Sequence, residues 1–167
     1  MHAEQLAFVS LGSNLGDARG QVLRALDGLQ LLSSEPLLRS SLWRTAPVDC
    51  PRGSPTFINA IAGLAPEPGE TPESLLAKLQ DLEKHFGRRR KAVLNEPRPL
   101  DLDLITFGPE LRGSPDLILP HPRAHLRRFV LEPLAELAPD FVLPGHKSTV
   151  SQMLAQIPAE GTMRLPV

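Results

Sequence analysis

The segment from Arg98 to Ile105 carries two aspartates, Asp101 and Asp103, two positions apart within an alternating apolar run. If this segment is a β-strand, its period of two directs both carboxylates to one face, about 6.6 Å apart, while the leucines between them enter a core. Carboxylates this close repel each other unless a cation lies between them. Oxygen ligands suit hard divalent ions, so we predict a Mg²⁺ site, where paired ions about 3.5–4 Å apart would clamp a polyphosphate during phosphoryl transfer.

A half-buried strand with a solvated acidic face is the alternative interpretation of the same spacing. Asp is depleted in strands, however, so two of them on one face require a physical reason. Positive charge is also concentrated close by, because six basic residues fall between positions 84 and 98. They are Lys84, Arg88, Arg89, Arg90, Lys91 and Arg98. An acidic pair therefore neighbours a basic cluster, whose members are solvated surface charges in the simplest interpretation.

The composition is that of one ordinary globular domain spanning residues 1–167. The chain is 41% hydrophobic and 22% charged, and its net charge of −1 gives no overall nucleic-acid footprint. The single cysteine, Cys50, excludes an internal disulfide, and the sequence contains neither a signal-peptide pattern nor an apolar run of transmembrane length. We therefore expect a cytoplasmic monomer that binds neither nucleic acid nor a membrane.

The order of elements predicts an α+β fold with a ferredoxin-like βαββαβ antiparallel sheet. The predicted strands are 6–11, 37–44, 57–64 and 100–107; the predicted helices begin after Asp17 and at Thr71-Pro72, and the second ends at Gly87. Two further helices, from about Arg127 to Leu137 and from Thr149 to Ile157, are expected to pack on the sheet as extra C-terminal elements.

This topology brings two separated motifs together. In a ferredoxin-like sheet the fourth strand lies antiparallel beside the first, so Asp101 and Asp103 should fall near Gly12-Ser13-Asn14, where the first strand ends. A glycine-containing turn before a helix has free backbone N–H groups that can bind an anion, although it is also an ordinary helix entrance.

Four motifs in this order resemble the 6-hydroxymethyl-7,8-dihydropterin pyrophosphokinase family of folate biosynthesis. They are Leu11–Asp17, Arg98–Asp103, Pro120-His121-Pro122-Arg123 and Arg127–Leu131, and they span most of the chain. The resemblance implies the same ferredoxin-like fold. It also implies transfer of pyrophosphate from ATP to the hydroxymethyl group of the pterin, with release of AMP.

The resemblance assigns residues to the nucleotide side of the site. Asp101 and Asp103 resemble ligands of two Mg²⁺ ions, and Arg88 and Arg90 resemble catalytic loop arginines that meet ATP. Arginine suits such a role because its planar fork grips phosphate oxygens in pairs. The implied ATP-binding residues are Glu83, Arg90, Arg98, His121 and Arg127. Alternatives remain open, since Glu83 is equally well a helix-surface glutamate and His121 a capped turn histidine.

The pterin side is also implied by the resemblance. Asn59 resembles an amide that pairs with the pterin ring, while Phe57 and Phe129 would offer aromatic faces for stacking, although phenylalanines are usually core residues. The remaining residues expected to line the pterin are Thr45, Pro47, Val48 and Asp101.

Two other classes of protein share this order of elements. An RNA-recognition module needs stacking aromatics on its central strands and the RNP signature, and the sequence has neither. A palm-like two-metal nucleotidyltransferase or cyclase also uses an acidic pair on such a sheet, and it would release pyrophosphate instead of AMP. The family motifs, with Asn59 and Phe129, favour the pyrophosphokinase.

Overall fold

The first strand, β1 (Ala7–Ser13), is an inner strand of an antiparallel sheet, with a paired strand on each side. The computed structural model describes residues 2–46, 56–87, 99–159 and 161–166. The other strands are β2 (Leu38–Arg39), β3 (Trp43–Thr45), β4 (Phe57–Leu64), β5 (Asp101–Phe107), β6 (Arg112–Gly113), β7 (Ile118–Leu119) and β8 (Thr162–Arg164). The helices are α1 (Ala18–Gln30), α2 (Pro72–His85), α3 (Arg128–Leu137) and α4 (Val150–Ala155), with short 3₁₀ helices at Ala3–Gln5 and Ala124–Leu126.

The strand order is β5-β1-β4-β3-β8, with β2 pairing to β4 beside β3. The predicted fourth strand, β5, is therefore antiparallel to β1 and adjacent to it. The predicted α+β, ferredoxin-like arrangement is confirmed, and Gly12 lies directly opposite Asp101.

The predicted strand at 37–44 is broken, and the break changes which side chains face which way. Arg39 pairs with Ala62 and Trp43 pairs with Asn59, so one extra residue lies on this side of the ladder. At the irregularity, the Ser40 Oγ takes the place of a backbone acceptor, because it accepts the Ile61 N–H at 2.9 Å. After the extra residue, each side chain faces the side of the sheet opposite to the one that an unbroken strand would give it, as after a bulge.

The two faces of the sheet are covered by different helices. On one face, α1 and α2 bury an aliphatic core that includes Val9, Leu11, Leu26, Leu79 and Leu102. The other face packs against α3 and α4. Its core includes Phe8, Ile61, Ile105, Leu131 and Phe141, so the C-terminal helices cover the sheet as predicted.

No helix in the described part of the chain is long and apolar enough to cross a membrane. Beyond the predicted elements, the chain adds a small β6–β7 hairpin and the edge strand β8. Each has only two or three residues, which is too short for a periodic pattern to indicate.

Helix α2 begins and ends as its sequence predicts. Thr71 accepts the Ser74 N–H at 3.0 Å while the Ser74 hydroxyl accepts the Thr71 N–H at 2.9 Å, and Pro72 occupies the first helical position. Gly87 follows the helix with φ +87°, the left-handed conformation typical of a helix C-terminus. This helix packs on β5 and so supports the strand that carries the aspartate pair.

We predict that Thr71→Ala lowers the free energy of unfolding by about 1 kcal/mol, because the first turn loses its side-chain acceptor. Urea unfolding measures the change. The exposed Gln80→Ala on the same helix is the control and should stay within about 0.5 kcal/mol of the parent. Equal midpoints for the two variants would show that the cap does not stabilise the helix.

Candidate active site

Three neighbouring strands place an amide, a glycine and a carboxylate side by side where β1 ends. Gly12 lies directly opposite Asn59 on one side and Asp101 on the other. Directly opposed residues of an antiparallel ladder project from the same face. A Cβ on Gly12 would lie 2.8 Å from Asn59 Oδ1, closer than ordinary van der Waals contact. Glycine therefore keeps the space between the amide and the carboxylate clear.

The aspartate pair faces this space as the alternation predicts. Asp101 and Asp103 are half-buried, whereas Leu100, Leu102 and Leu104 between and beside them are at most 5% exposed and belong to the opposite core. Ser10 is opposite Asp103 and is itself buried. Sequence reasoning missed Ser10, since an isolated serine within an apolar strand gives no signal of its own.

The donors fit a hard divalent cation. Carboxylate oxygens are the preferred protein ligands of Mg²⁺, which commonly takes one or two of them and completes its shell with water and substrate phosphates. Within the described ranges, no group of three or more His, Cys, Asp or Glu side chains could hold a metal ion. A cation between Asp101 and Asp103 would therefore share its ligands with a bound phosphate chain.

Glu83 braces the strand that carries the pair. The side chain is 7% exposed, and its Oε2 accepts the Leu102 N–H at 2.7 Å, midway between the two aspartates. Strand β5 is the edge of the sheet, so this N–H points away from β1 and needs another acceptor. The helix-surface interpretation of Glu83 is wrong, while its contact with ATP stays a prediction.

His121 is fixed beside the carboxylates by two backbone contacts. Its N–H donates to the Ile105 carbonyl at 2.8 Å, at the bulge where Ile105 has no partner in β1. Its Nδ1 accepts the Arg123 N–H at 3.1 Å, as in a capped turn. Because Nδ1 is an acceptor, we assign the proton of the neutral ring to Nε2, which can then donate to a phosphate oxygen.

Burial and nearby positive charge keep this ring neutral. Desolvation, followed by the charges of Arg127 and Arg123, lowers the pKa of His121 to about 4, against a smaller opposing effect of Asp101. The neutral imidazole adds no charge to a site that already contains both carboxylates and guanidinium groups.

Arg127 and Phe129 stand at the entry to α3. The Arg127 guanidinium lies 5.4 Å from the centre of the Phe129 ring, within cation–π distance. Phe129 is half-buried and packs against the core under α3. The structure therefore combines the core role expected of a phenylalanine with a partly accessible ring.

On the other side of Gly12, Thr45 and Asn59 form a buried polar pair. Asn59 Nδ2 donates to Thr45 Oγ1 at 2.7 Å, and the two residues are 3% and 4% exposed. Thr45 shares a face with Asn59 only because of the extra residue near Ser40, since an unbroken strand would direct it to the α1 side. Phe57, directly opposite Thr45, is half-buried.

Five of the predicted site residues lie outside the described residues. They are Pro47, Val48, Arg88, Arg90 and Arg98. Glu83 reaches the edge of β5 from α2, and the other predicted residues form two groups on the sheet face opposite α2. The first group is built around β5 and the segment before α3, and the second around β3 and β4.

The comparisons with known proteins decide the family. The model of the 7,8-dihydro-6-hydroxymethylpterin-pyrophosphokinase (HPPK) family matches residues 8–139. The chain belongs to this family. The resemblance noted from the four motifs is confirmed, and with it an ATP-dependent pyrophosphokinase of folate biosynthesis.

Relatives of similar length match almost end to end. The 2-amino-4-hydroxy-6-hydroxymethyldihydropteridine pyrophosphokinase of Pseudomonas aeruginosa is 40% identical over 163 residues, covering 97% of this chain and 98% of that protein. The protein of the same name from Haemophilus influenzae is 38% identical over 140 residues, and the match covers 83% of this chain and 85% of that protein.

Longer proteins contain a similar domain. The chain spans 18% of the folic acid synthesis protein fol1 of Pneumocystis carinii, with 36% identity over 140 residues. Among solved structures, a crystal structure of HPPK-DHPS in complex with substrates matches with a TM-score of 0.74. It is 11% identical and covers 97% of this chain and 46% of that one, so it supports the fold alone.

We predict that Glu83→Ala lowers kcat at least about tenfold, because a buried N–H between the aspartates loses its acceptor. Glu83→Gln keeps an acceptor oxygen and should retain most of the activity. Steady-state kinetics with Mg²⁺ titration measures both, and Gln80→Ala serves as the control on the same helix. If Glu83→Gln is as damaging as Glu83→Ala, the negative charge matters instead of the hydrogen bond.

The neutral His121 predicts a specific pH dependence of stability. Its pKa is lower in the folded protein than its ordinary 6.5, so the unfolded chain binds more protons between pH 6.5 and about 4. The contribution of the neutral His121 ring to the free energy of unfolding is complete above pH 6.5 and is lost as the pH falls towards 4. NMR titration of the ring should give the lowered midpoint, and His121→Asn should remove this part of the acid destabilisation. A midpoint near 6.5 would contradict the burial argument.

Proposed function

We infer that this chain transfers the pyrophosphoryl group of ATP to the hydroxymethyl oxygen of 6-hydroxymethyl-7,8-dihydropterin and releases AMP. The observation that carries the assignment is the row Asn59, Gly12 and Asp101 across three strands. In this row the amide proposed to recognise the ring and the carboxylate proposed to act on the phosphates are separated only by a glycine. Family membership supports both substrates.

The reaction makes one bond and breaks another at the middle phosphorus of ATP. The hydroxymethyl oxygen attacks that phosphorus, the bond from it to the oxygen of the first phosphate breaks, and AMP leaves with the electron pair. The hydroxyl proton is lost to solvent, and little general-base assistance is needed because loose phosphoryl transition states depend on positioning and electrostatics.

Asp101 and Asp103 would hold two Mg²⁺ ions, which when bound would neutralise charge on the triphosphate. Beside them, the Nε2–H of His121 and the guanidinium of Arg127 would bind phosphate oxygens. From the sequence we also assign Arg98 to the phosphates, and Arg88 and Arg90 to the charge that develops on the transferred group.

The pterin would lie on the Asn59 side of Gly12. The Asn59 amide has hydrogen-bonding groups that match the pterin ring edge, and its orientation is set by Thr45. Phe129 and Phe57 would contribute aromatic faces. Asp101, on the same face of the sheet as Asn59, would border the hydroxymethyl group. The attacking oxygen would then lie between the ring pocket and the phosphate chain.

Phosphorus NMR of a completed reaction tests this function. Attack at the middle phosphorus yields AMP and a pterin that carries two phosphorus atoms. Attack at the terminal phosphorus would yield ADP, and attack at the first would yield free pyrophosphate. Stoichiometric accumulation of ADP or pyrophosphate would overturn the assignment.

We predict that Asp103→Asn lowers turnover by at least about a hundredfold while the fold survives, because one ligand loses its charge. Initial rates at saturating Mg²⁺, with circular dichroism to check folding, measure the effect. The exposed Asp140→Asn, which changes the net charge equally, should keep normal turnover. Near-normal turnover of Asp103→Asn would remove this residue from the proposed metal site.

A further inference from the structure

The C-terminal strand β8 forms the outer edge of the sheet beside the pterin side of the site. It pairs antiparallel with β3, with Thr162 opposite Thr45 and Arg164 opposite Trp43. Backbone hydrogen bonds continue the pairing at both ends. Ala46 N–H donates to the Gly161 carbonyl at 2.8 Å, and Leu165 N–H donates to the Leu42 carbonyl at 2.8 Å.

Strand β3 depends on this partner because it is short. It has three residues, lies between β4 and β8, and follows the irregular stretch at Ser40. Without β8, its outer N–H and C=O groups would lose their partners, and only β4 would hold it in register. Thr45 is the last residue of the strand, so its position depends on both neighbours.

Thr45 in turn sets the orientation of Asn59. The Asn59 Nδ2 donates to Thr45 Oγ1, while Asn59 Oδ1 is the atom nearest to the space above Gly12. A displaced Thr45 would release the amide to rotate. The amide would then present the wrong donors and acceptors to a bound ring.

We propose that β8 is a positioning element of the pterin site: by pairing with β3 it holds Thr45, and through Thr45 it fixes the Asn59 amide for ring recognition. The proposal rests on the proposed function, which assigns Thr45 and Asn59 to the pterin.

The nucleotide side is independent of this support. Asp101 and Asp103 lie on β5, at the opposite edge of the sheet, with β1 and β4 between β5 and β3. His121 is held by the Ile105 carbonyl of the same strand. Loss of the β8 pairing should therefore weaken pterin recognition and leave ATP recognition intact.

Proline substitutions within β8 separate pairing from side-chain effects. In an antiparallel ladder, every second residue of a strand forms its backbone hydrogen bonds with the same neighbouring strand. Gly161 and Leu165 are both hydrogen-bonded to the β3 side, so Met163, which lies midway between them and opposite Arg44, is hydrogen-bonded to it as well. Met163→Pro removes an N–H that points at β3. Arg164→Pro, the matched control, removes an N–H that points away from β3, where an edge strand tolerates proline.

We expect Met163→Pro to raise the KM for the pterin about tenfold and to leave the KM for ATP within about twofold. The reason is that β8 loses one backbone hydrogen bond to β3, and β3 is then held less firmly in position. Arg164→Pro should change both KM values by less than about twofold. Equilibrium binding of the pterin, in the presence of a nonhydrolysable ATP analogue, should show the same split.

A second pair of variants decides the question if Met163→Pro does not fold. Gly161 has φ +70°, and a Cβ on it would lie 3.2 Å from Ala46 Cβ. Gly69 has φ +87° with nothing within 4 Å of an added Cβ. Gly161→Ala and Gly69→Ala therefore carry similar backbone strain, and only Gly161→Ala should raise the KM for the pterin, by about threefold.

The outcomes are distinct. Equal KM values for Met163→Pro and Arg164→Pro, or for the two glycine variants, would overturn the role of β8, as would a parallel rise of both KM values. Failure of the parent protein to form AMP would overturn the proposed function, and this inference with it. Normal AMP formation by the parent with no selective change in the variants would overturn the role of β8 alone.

Discussion

Side-chain alternation along β5 is the constraint on which the site depends. Asp101 and Asp103 can face the open side only while Leu100, Leu102 and Leu104 are buried against α1 and α2. A slip of one residue would exchange the two sets. The pairing with β1 and the contact of Glu83 with the Leu102 N–H both oppose that slip, so the register that stabilises the core also places the carboxylates.

The extent of α3 decides where the sheet is open. This helix covers Phe8, Ile61 and Ile105 on one face, and it begins at Arg128. The end of β1 lies beside the beginnings of β4 and β5, away from these covered residues. Asp101 and Asp103 are half-buried there, whereas Asn59 is buried against Thr45. Arg127, at the entry to α3, lies close enough to His121 for its charge to lower the pKa of that ring, as Asp101 lies close enough to oppose the effect.

The sequence predicts the features that depend on local patterns. The alternation in β5 and the Thr71-Pro72 start of α2 are examples, because strand period and capping are decided within a few residues. Three features depend on distant contacts and carry no local signal: the burial of Glu83, the reversal of alternation near Ser40, and the pairing of β8 with β3. The roles of Arg88, Arg90, Arg98, Pro47 and Val48 stay predictions from the family resemblance.

The claim that the two carboxylates hold the metal ions is tested most directly by counting Mn²⁺ bound to the protein with the pterin and a nonhydrolysable ATP analogue, using electron paramagnetic resonance. We expect two ions per parent complex, and at least about tenfold weaker binding of one or both in Asp101→Asn and Asp103→Asn. Two ions bound with parental affinity in both variants would contradict the account.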